Sequence, residues 1–521
     1  MNLEHILIFI FLILYFLLLF RISYFFVGKG SDHKFYEHYT DTIKKNGNKF
    51  FSYFPNFLNK MPIYDPQFFF KLISYLPKDK LSSVAFLLNP VLIFLILIIS
   101  ILFYSSTEIQ GESNFFILSL IFLISFTPQY FHQQNSRIYG LSVRGIGLLL
   151  ILIFFISIFF IENTNNNFIF ICVAFIASYL IWGSNLFAQQ IIIIFPFLWF
   201  LLFGDYTMII ISISSLVFFY LIHGKYSKIF ITTRIRNWEI YYSILAEKFL
   251  FSYRDSIWKD WIYDFWFKKF SSLKSRLSYI YTNSFFIIIF LNPLLILAIY
   301  SFFNPLEFQD KYLNSIYIFS TQISLIGFLT SILTSFRFSR FLGEPERYVE
   351  AVIPFSSFVS CLFLYSLNTF TPLYILFFYF FILNIFQIST FVFLRKFHKQ
   401  NISIHLNKIT VIIENKRKDG MEIRFTSNNM DWTKLLLNTE WKFVNYIPAV
   451  YNCGSIHLKD LIINYPFMTP NSFNKIYKEF NLNFILLDKT IYPDYNKFII
   501  ENKKSRILLE EKNFLLIELN T

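Results

Sequence analysis

Two short runs, SDHKFYE (31–37) and GEPERYVE (343–350), hold much of the reactive chemistry in a chain that has little of it. In the first, Phe35, Tyr39 and Ile43 recur at every fourth position and Asn46-Gly47 follows, so the spacing predicts a helix capped by Ser31. Asp32 then lies in the first turn, where the helix dipole favours an ionised carboxylate. It is either a general base or an ordinary helix-terminal charge. His33 and His38 could join Asp32 or Glu37 around a divalent metal ion, although histidines five apart do not share a face as i and i+4 would. Asp65, in YDPQFFF, is a turn residue or a further carboxylate. The second run belongs to a basic–acidic–basic cluster of Arg340, Glu344, Glu346, Arg347 and Glu350. If Pro345 starts a helix, Arg347 and Glu350 fall nearly on one face, with Tyr348 beside them. Arg347 is then an anion contact or part of a salt-bridge knot. Arg144 opens an apolar run, where a guanidinium either holds an anion or snorkels to the interface.

These groups must be positioned by membrane helices. Of 521 residues, 55% are hydrophobic, only 15% are charged, and 73 are phenylalanine. Continuous apolar runs of bilayer-crossing length recur, near 3–27, 82–104, 114–130, 145–161, 168–183, 187–203, 207–223, 281–303, 316–336, 350–368 and 371–394. The expected fold class is therefore a polytopic α-helical membrane protein of about eleven transmembrane helices with a small C-terminal soluble α/β domain. Gly183, Pro196 and Gly204 permit a broken or re-entrant arrangement within 168–223. Residues 1–394 are expected to form the membrane domain, with long loops at 28–81 and 224–280, and residues 395–521 the soluble domain. There, 421–427 and 483–488 read as strands, NSFNKIYKEF as a helix and RILLEEKNFLLIEL as a hairpin. The short helix expected in YDPQFFFKLISYLP (64–77) suits the membrane interface. The net charge of +13 is read as contact with anionic lipid; no nucleic-acid motif is present. The cysteines offer no disulfide framework or zinc motif.

Counting spans places 28–81, 129–144, 182–190, 224–280, 336–350 and the tail on one side of the membrane. The other side keeps plain links such as SSTEIQGES and ENTNNN. That is the layout of an enzyme whose site is assembled from loops at a membrane surface. The plain links carry almost no Lys or Arg, so the positive-inside rule puts the polar face in the cytoplasm.

Several stretches resemble the GT-C polytopic glycosyltransferases, which include aminoarabinose transferases, protein O-mannosyltransferases and oligosaccharyltransferase catalytic subunits. SDHKFYEHYTDTIKKNG resembles their first extracytoplasmic loop. YDPQFFFKLISYLP looks like the jaw segment that follows it, and LSVRGIGLLL (141–150) is similar to the opening of their fourth span. FLGEPERYVEAVIP resembles the entry to a late helix, and YKEFNLNFILLD a motif of the C-terminal domain. Gly145 stands where many relatives have proline after the motif arginine, and IWGSNLFAQQ lacks the His-Lys pair many show before the glutamine.

The resemblance implies an inverting hexosyl- or pentosyltransferase in the cell membrane, with its site on the extracytoplasmic face. The donor would be a polyprenyl-phosphate-linked sugar and the acceptor a lipid, glycan or protein. Asp32 would be the catalytic base, while Arg144, Arg347, Glu344, Tyr348 and His33 would serve substrate or phosphate binding. No cofactor is assigned beyond the divalent metal ion for which His33 and His38 are the candidate ligands. Consistent with a lipid-linked donor, the sequence has no Walker loop. Two other readings compete. A polysaccharide polymerase or ligase would use the same lipid-linked sugars; a flippase or transporter would want mid-span charges, and these spans are nearly free of them.

Overall fold

The computed structural model describes residues 3–26, 31–58, 62–63, 66–77, 80–105, 113–131, 142–164, 167–243, 265–267, 269, 284–336, 339, 342–367, 369–417, 421–428, 430–437, 439–444, 476–489 and 505–519. The chain is a polytopic α-helical membrane protein with a small C-terminal sheet. Among the described residues, eight helices are long and apolar enough to cross a bilayer, and two bent pairs raise the number to ten. A shorter apolar segment, Phe115–Phe131, accompanies them. Each of the eleven apolar runs contains helix, including Leu3–Phe26, Leu81–Ser105, Arg144–Asn163, Leu186–Phe203, Lys311–Leu333 and Thr371–Lys416.

The region 168–223 forms regular helices: Pro196 lies inside one, and Gly204 ends it with φ 76°. The breaks lie elsewhere. Ser284–Phe290 and Pro293–Phe303 meet at 67°, and Pro345–Ala351 and Ile353–Ser366 at 63°.

The chain divides into two compact units. The first comprises residues 1–27, 82–222 and 251–392; the second comprises 28–81, 223–250 and 393–521. In the first unit, aromatic edges and small polar pins replace the hydrophobic effect that lipid cannot supply. Tyr104 stacks on Phe358 at 4.0 Å, and Ser178 and Ser215 share a hydrogen bond at 2.6 Å that Trp182 joins.

In the second unit, the helix Ser31–Lys45 buries the expected face of Phe35, Tyr39 and Ile43. Tyr39 packs against Phe51, Phe54 and Phe70. The short helix expected in 64–77 spans Phe68–Ser74. Before it, the Gln67 side chain closes both backbone groups of Phe51, accepting from its N–H at 3.1 Å and donating to its carbonyl at 2.7 Å. The helix Thr207–Ser243 kinks at Gly224 (φ 35°, ψ −105°) and carries RIRNWEIYY beyond the apolar run.

The sheet comprises β1 (Arg424–Ser427), β2 (Lys442–Phe443), β3 (Phe484–Asp488), β4 (Ser505–Glu510) and β5 (Phe514–Leu519), in the order β2-β1-β3-β5-β4. β1 runs parallel to β2 and β3, whereas β5 is antiparallel to β3 and β4. Both predicted strands and the hairpin are thus present. Of the predicted helix, residues 476–480 are helical.

Candidate functional site

Arg144 begins its helix after Val143, which has no capping side chain. Neighbouring groups do the work instead: Ser142 Oγ accepts from the Arg144 N–H at 3.2 Å, and Asn185 Nδ2 donates to the Val143 carbonyl at 2.8 Å. The same Asn185 caps the helix Leu186–Phe203, its Oδ1 accepting from the Ala188 N–H at 2.8 Å. One side chain therefore ties two helix starts together. Gly147 makes room for it, because a Cβ there would lie 2.8 Å from Asn185 Cγ.

Two residues past Asn185, the buried Phe187 ring receives two guanidiniums. The Arg144 Cζ lies 5.9 Å from its centroid and the Arg347 Cζ 6.0 Å. Both are within cation–π reach. Tyr348 meets Phe187 edge-on at 5.2 Å, is itself fully buried, and donates its hydroxyl to the Leu342 carbonyl at 2.6 Å.

The predicted helix after Gly343 is present as Pro345–Ala351, with proline in its first turn. Its three carboxylates have separate partners. Glu350 pairs with Arg144 at 2.7 Å, their side chains being 1% and 11% exposed. Glu344 pairs with Arg347. Glu346 is buried and accepts from Ser284 Oγ at 2.8 Å, while its backbone carbonyl accepts from Gln129 Nε2 at 2.6 Å. The structure therefore brings Arg144, Arg347 and Tyr348 around one ring, with Glu344 joined to it through Arg347. It pairs Arg347 back to Glu344 rather than forward to Glu350. Arg340 and Asp65 lie outside the described residues.

The remaining predicted residues belong to the second unit. Asp32 lies in the first turn of Ser31–Lys45, as expected. His33 Nε2 meets Glu37 Oε1 at 2.9 Å and Lys34 meets Glu37 Oε2 at 2.7 Å. Burial alone would raise the Glu37 carboxyl, but the hydrogen bonds and positive charge of His33 and Lys34 outweigh it and hold the pKa at about 2. His38 is buried with its ring nearly parallel to Phe54, centroids 6.1 Å apart. Among the described residues, no group of three or more His, Cys, Asp or Glu could hold a metal ion. His33 is instead turned to Glu37.

Phe187, Asn185 and the Glu350–Arg144 partnership were not singled out by the sequence. Asn185 had a signal, being polar between two apolar runs. Phe187 had none among 73 phenylalanines.

No protein-family model matches the chain, and no curated protein matches it in sequence. Its structure is similar to that of the Archaeoglobus fulgidus oligosaccharyltransferase in complex with Zn and sulfate. That match has 11% identity and a TM-score of 0.51, and covers 94% of this chain and 71% of that one. The apo form of the same protein matches at 10% identity and a TM-score of 0.50 with the same coverage. ArnT from Cupriavidus metallidurans bound to undecaprenyl phosphate matches at 10% identity, covering 98% of this chain and 97% of that one, with a TM-score of 0.43. At the identity of the oligosaccharyltransferase matches, what is shared is architecture: the chain has the fold of that polytopic protein.

Proposed function

We propose that the protein is an inverting membrane glycosyltransferase that moves a sugar from a polyprenyl-phosphate donor to a hydroxyl of a lipid, glycan or protein acceptor. Asp32 removes the proton of the attacking hydroxyl. A bond forms from that oxygen to the anomeric carbon, the bond from this carbon to the phosphate oxygen breaks, and polyprenyl phosphate leaves with the electron pair. Arg144 and Arg347 meet the charge that grows on the leaving phosphate, where fixed cations lower the barrier most. The observation that carries the reading is the pair of guanidiniums on Phe187, in a chain with the fold of the oligosaccharyltransferase. Neither arginine sits in the middle of an apolar run, as a transporter's charges would; Arg144 is the first residue of its helix and Arg347 lies in the short helix before the bend. The extracytoplasmic side is proposed for the site on the family resemblance, against the charge bias of the links, because loops 28–81 and 224–280 run to about 55 residues, near the length at which the positive-inside rule loses force.

The test uses membranes holding equal amounts of wild type and Asp32→Asn, supplied with radiolabelled polyprenyl-phosphate sugars and native lipid extract. Transfer by wild type should fall by a factor of about 10²–10⁴ in the variant, the usual contribution of a general base. Transfer that survives removes Asp32 from the mechanism. If wild type transfers nothing from any donor, the proposal fails.

A further inference from the structure

The two ion pairs beside Phe187 differ in kind. Arg144–Glu350 is sealed. Arg347–Glu344 is open, with side chains 35% and 27% exposed. The backbone differs as well. Glu350 lies within the helix Pro345–Ala351, whereas Glu344 occupies the N-cap position and its side chain makes no capping hydrogen bond. Just before it, Gly343 adopts φ +101°, a conformation that L side chains rarely take. Glu344 thus follows a glycine joint and turns back onto the arginine three residues ahead. On the other side of the pair, Arg347 Nε is buried and has no hydrogen-bond acceptor among the described residues. Arg347 therefore combines a buried N–H that has no acceptor among the described residues with a partner that is partly open to solvent.

We propose that Glu344 is an internal competitor for Arg347. Its carboxylate occupies the guanidinium in the substrate-free protein, a phosphate oxygen of the polyprenyl-phosphate substrate displaces it, and the exchange sets affinity for that phosphate. The inference rests on the donor class proposed above. Ion pairs open to solvent are screened and contribute little net free energy, and this pair is partly open, so displacing the carboxylate costs less than breaking a buried pair. A phosphate is tetrahedral, but two of its oxygens match the guanidinium fork and can take up the N–H groups that the carboxylate held. Glu350 cannot play this part, because losing it would leave Arg144 charged and buried. The two glutamates of one short segment then act in opposite senses: Glu350 fixes its arginine and Glu344 yields its own.

The test compares binding of decaprenyl phosphate and decaprenol to the full-length protein in lipid nanodiscs, for wild type, Glu344→Gln, Glu344→Asp, Arg347→Gln and the Glu344→Gln/Arg347→Gln double variant. Wild type should prefer the phosphate. Glu344→Gln should tighten phosphate binding by about two- to fivefold, the range a displaced exposed ion pair allows, without changing decaprenol binding. In turnover, KM for the donor should fall while kcat changes little. Arg347→Gln should weaken phosphate binding, and in the double variant the gain from Glu344→Gln should vanish. Glu344→Asp, which keeps the charge and shortens its reach, should fall between wild type and Glu344→Gln. If wild type prefers phosphate but Glu344→Gln leaves it unchanged or weakens it as Arg347→Gln does, Glu344 merely supports Arg347. The inference is then overturned and the donor reading stands. If wild type does not distinguish phosphate from alcohol, the donor reading falls and takes the inference with it.

Discussion

Substituting Glu350 and Arg144 singly and together separates what their pair does for folding from what it does for chemistry. With the two side chains 1% and 11% exposed, neither charge has water to fall back on. Glu350→Ala takes the paired carboxylate away from the buried Arg144 guanidinium, a loss of about 3–5 kcal/mol for buried pairs. The Phe187 ring lies against the guanidinium before and after the change, so the expected destabilisation stays at about 3–5 kcal/mol. Replacing both partners by apolar side chains, Arg144→Met with Glu350→Leu, removes the desolvation cost along with the attraction. It should come within about 1 kcal/mol of wild type. Wild type, Arg144→Met, Glu350→Leu and the double variant form a double-mutant cycle, read, like Glu350→Ala, by denaturant titration of tryptophan fluorescence in mixed micelles. The double variant should fold yet transfer little sugar, since the phosphate has lost a guanidinium. Glu350→Ala within about 0.5 kcal/mol of wild type would refute the reasoning, because a truly buried pair cannot be broken so cheaply.

Two further outcomes follow from local geometry. The Glu37 carboxyl, at about 2 in the fold against an ordinary 4.5, is depressed, so the unfolded chain takes up its proton first. Its contribution to stability is complete above pH 4.5 and is lost as pH falls from there towards 2. Thermal unfolding across that range should show a slope that Glu37→Gln flattens. Gly147→Ala should cost about 1–3 kcal/mol, because its Cβ displaces Asn185 and with it both the helix cap and the bond to Val143. Gly145→Ala should be milder in the same thermal assay, its nearest neighbour being the movable end of Leu92 at 3.1 Å.

The apolar runs were legible because lipid leaves a chain few choices: their length and composition already require helices. The breaks were not. LNP occurs twice, at 88–90 and 291–293; the first stays inside one helix and the second bends by 67°. Proline alone does not decide this. At the second site the Gln129 N–H donates to the Leu291 carbonyl at 3.1 Å, so a tertiary donor serves a backbone group at the break. The site shows the same division. The charge cluster at 340–350 stood out in the sequence, and a helix was expected after Pro345. Which acid met which arginine did not follow from helical spacing. Glu350 found Arg144 about two hundred residues away, where its burial could be compensated. Arg347 was left to Glu344, nearer solvent. Phe187, on which both guanidiniums lie, is chemically indistinguishable in sequence from its neighbours.

The loop that begins with Asp32 is held by something the sequence does not hint at. β2 is a two-residue strand at the edge of the tail's sheet, and an open edge leaves backbone groups unpaired. Residues of the first loop close it. Phe443 donates its N–H to the Asn56 carbonyl and accepts from the Leu58 N–H, both at 2.8 Å, and Lys442 Nζ reaches the Pro55 carbonyl at 3.0 Å. Phe57 and Phe443 are neighbours across this bridge, backed by Phe425 and Trp441. Trp441 in turn donates to Glu414 at 2.6 Å. The helix Met430–Leu436 packs directly on Ser31–Lys45. Two segments separated by most of the chain thus share one core, and neither is complete alone: the sheet needs the loop to cover its edge, and the loop, with no helix among its described residues between 46 and 67, needs the sheet to hold its shape. The tail is consequently a brace for the polar first loop, with which it forms one compact unit.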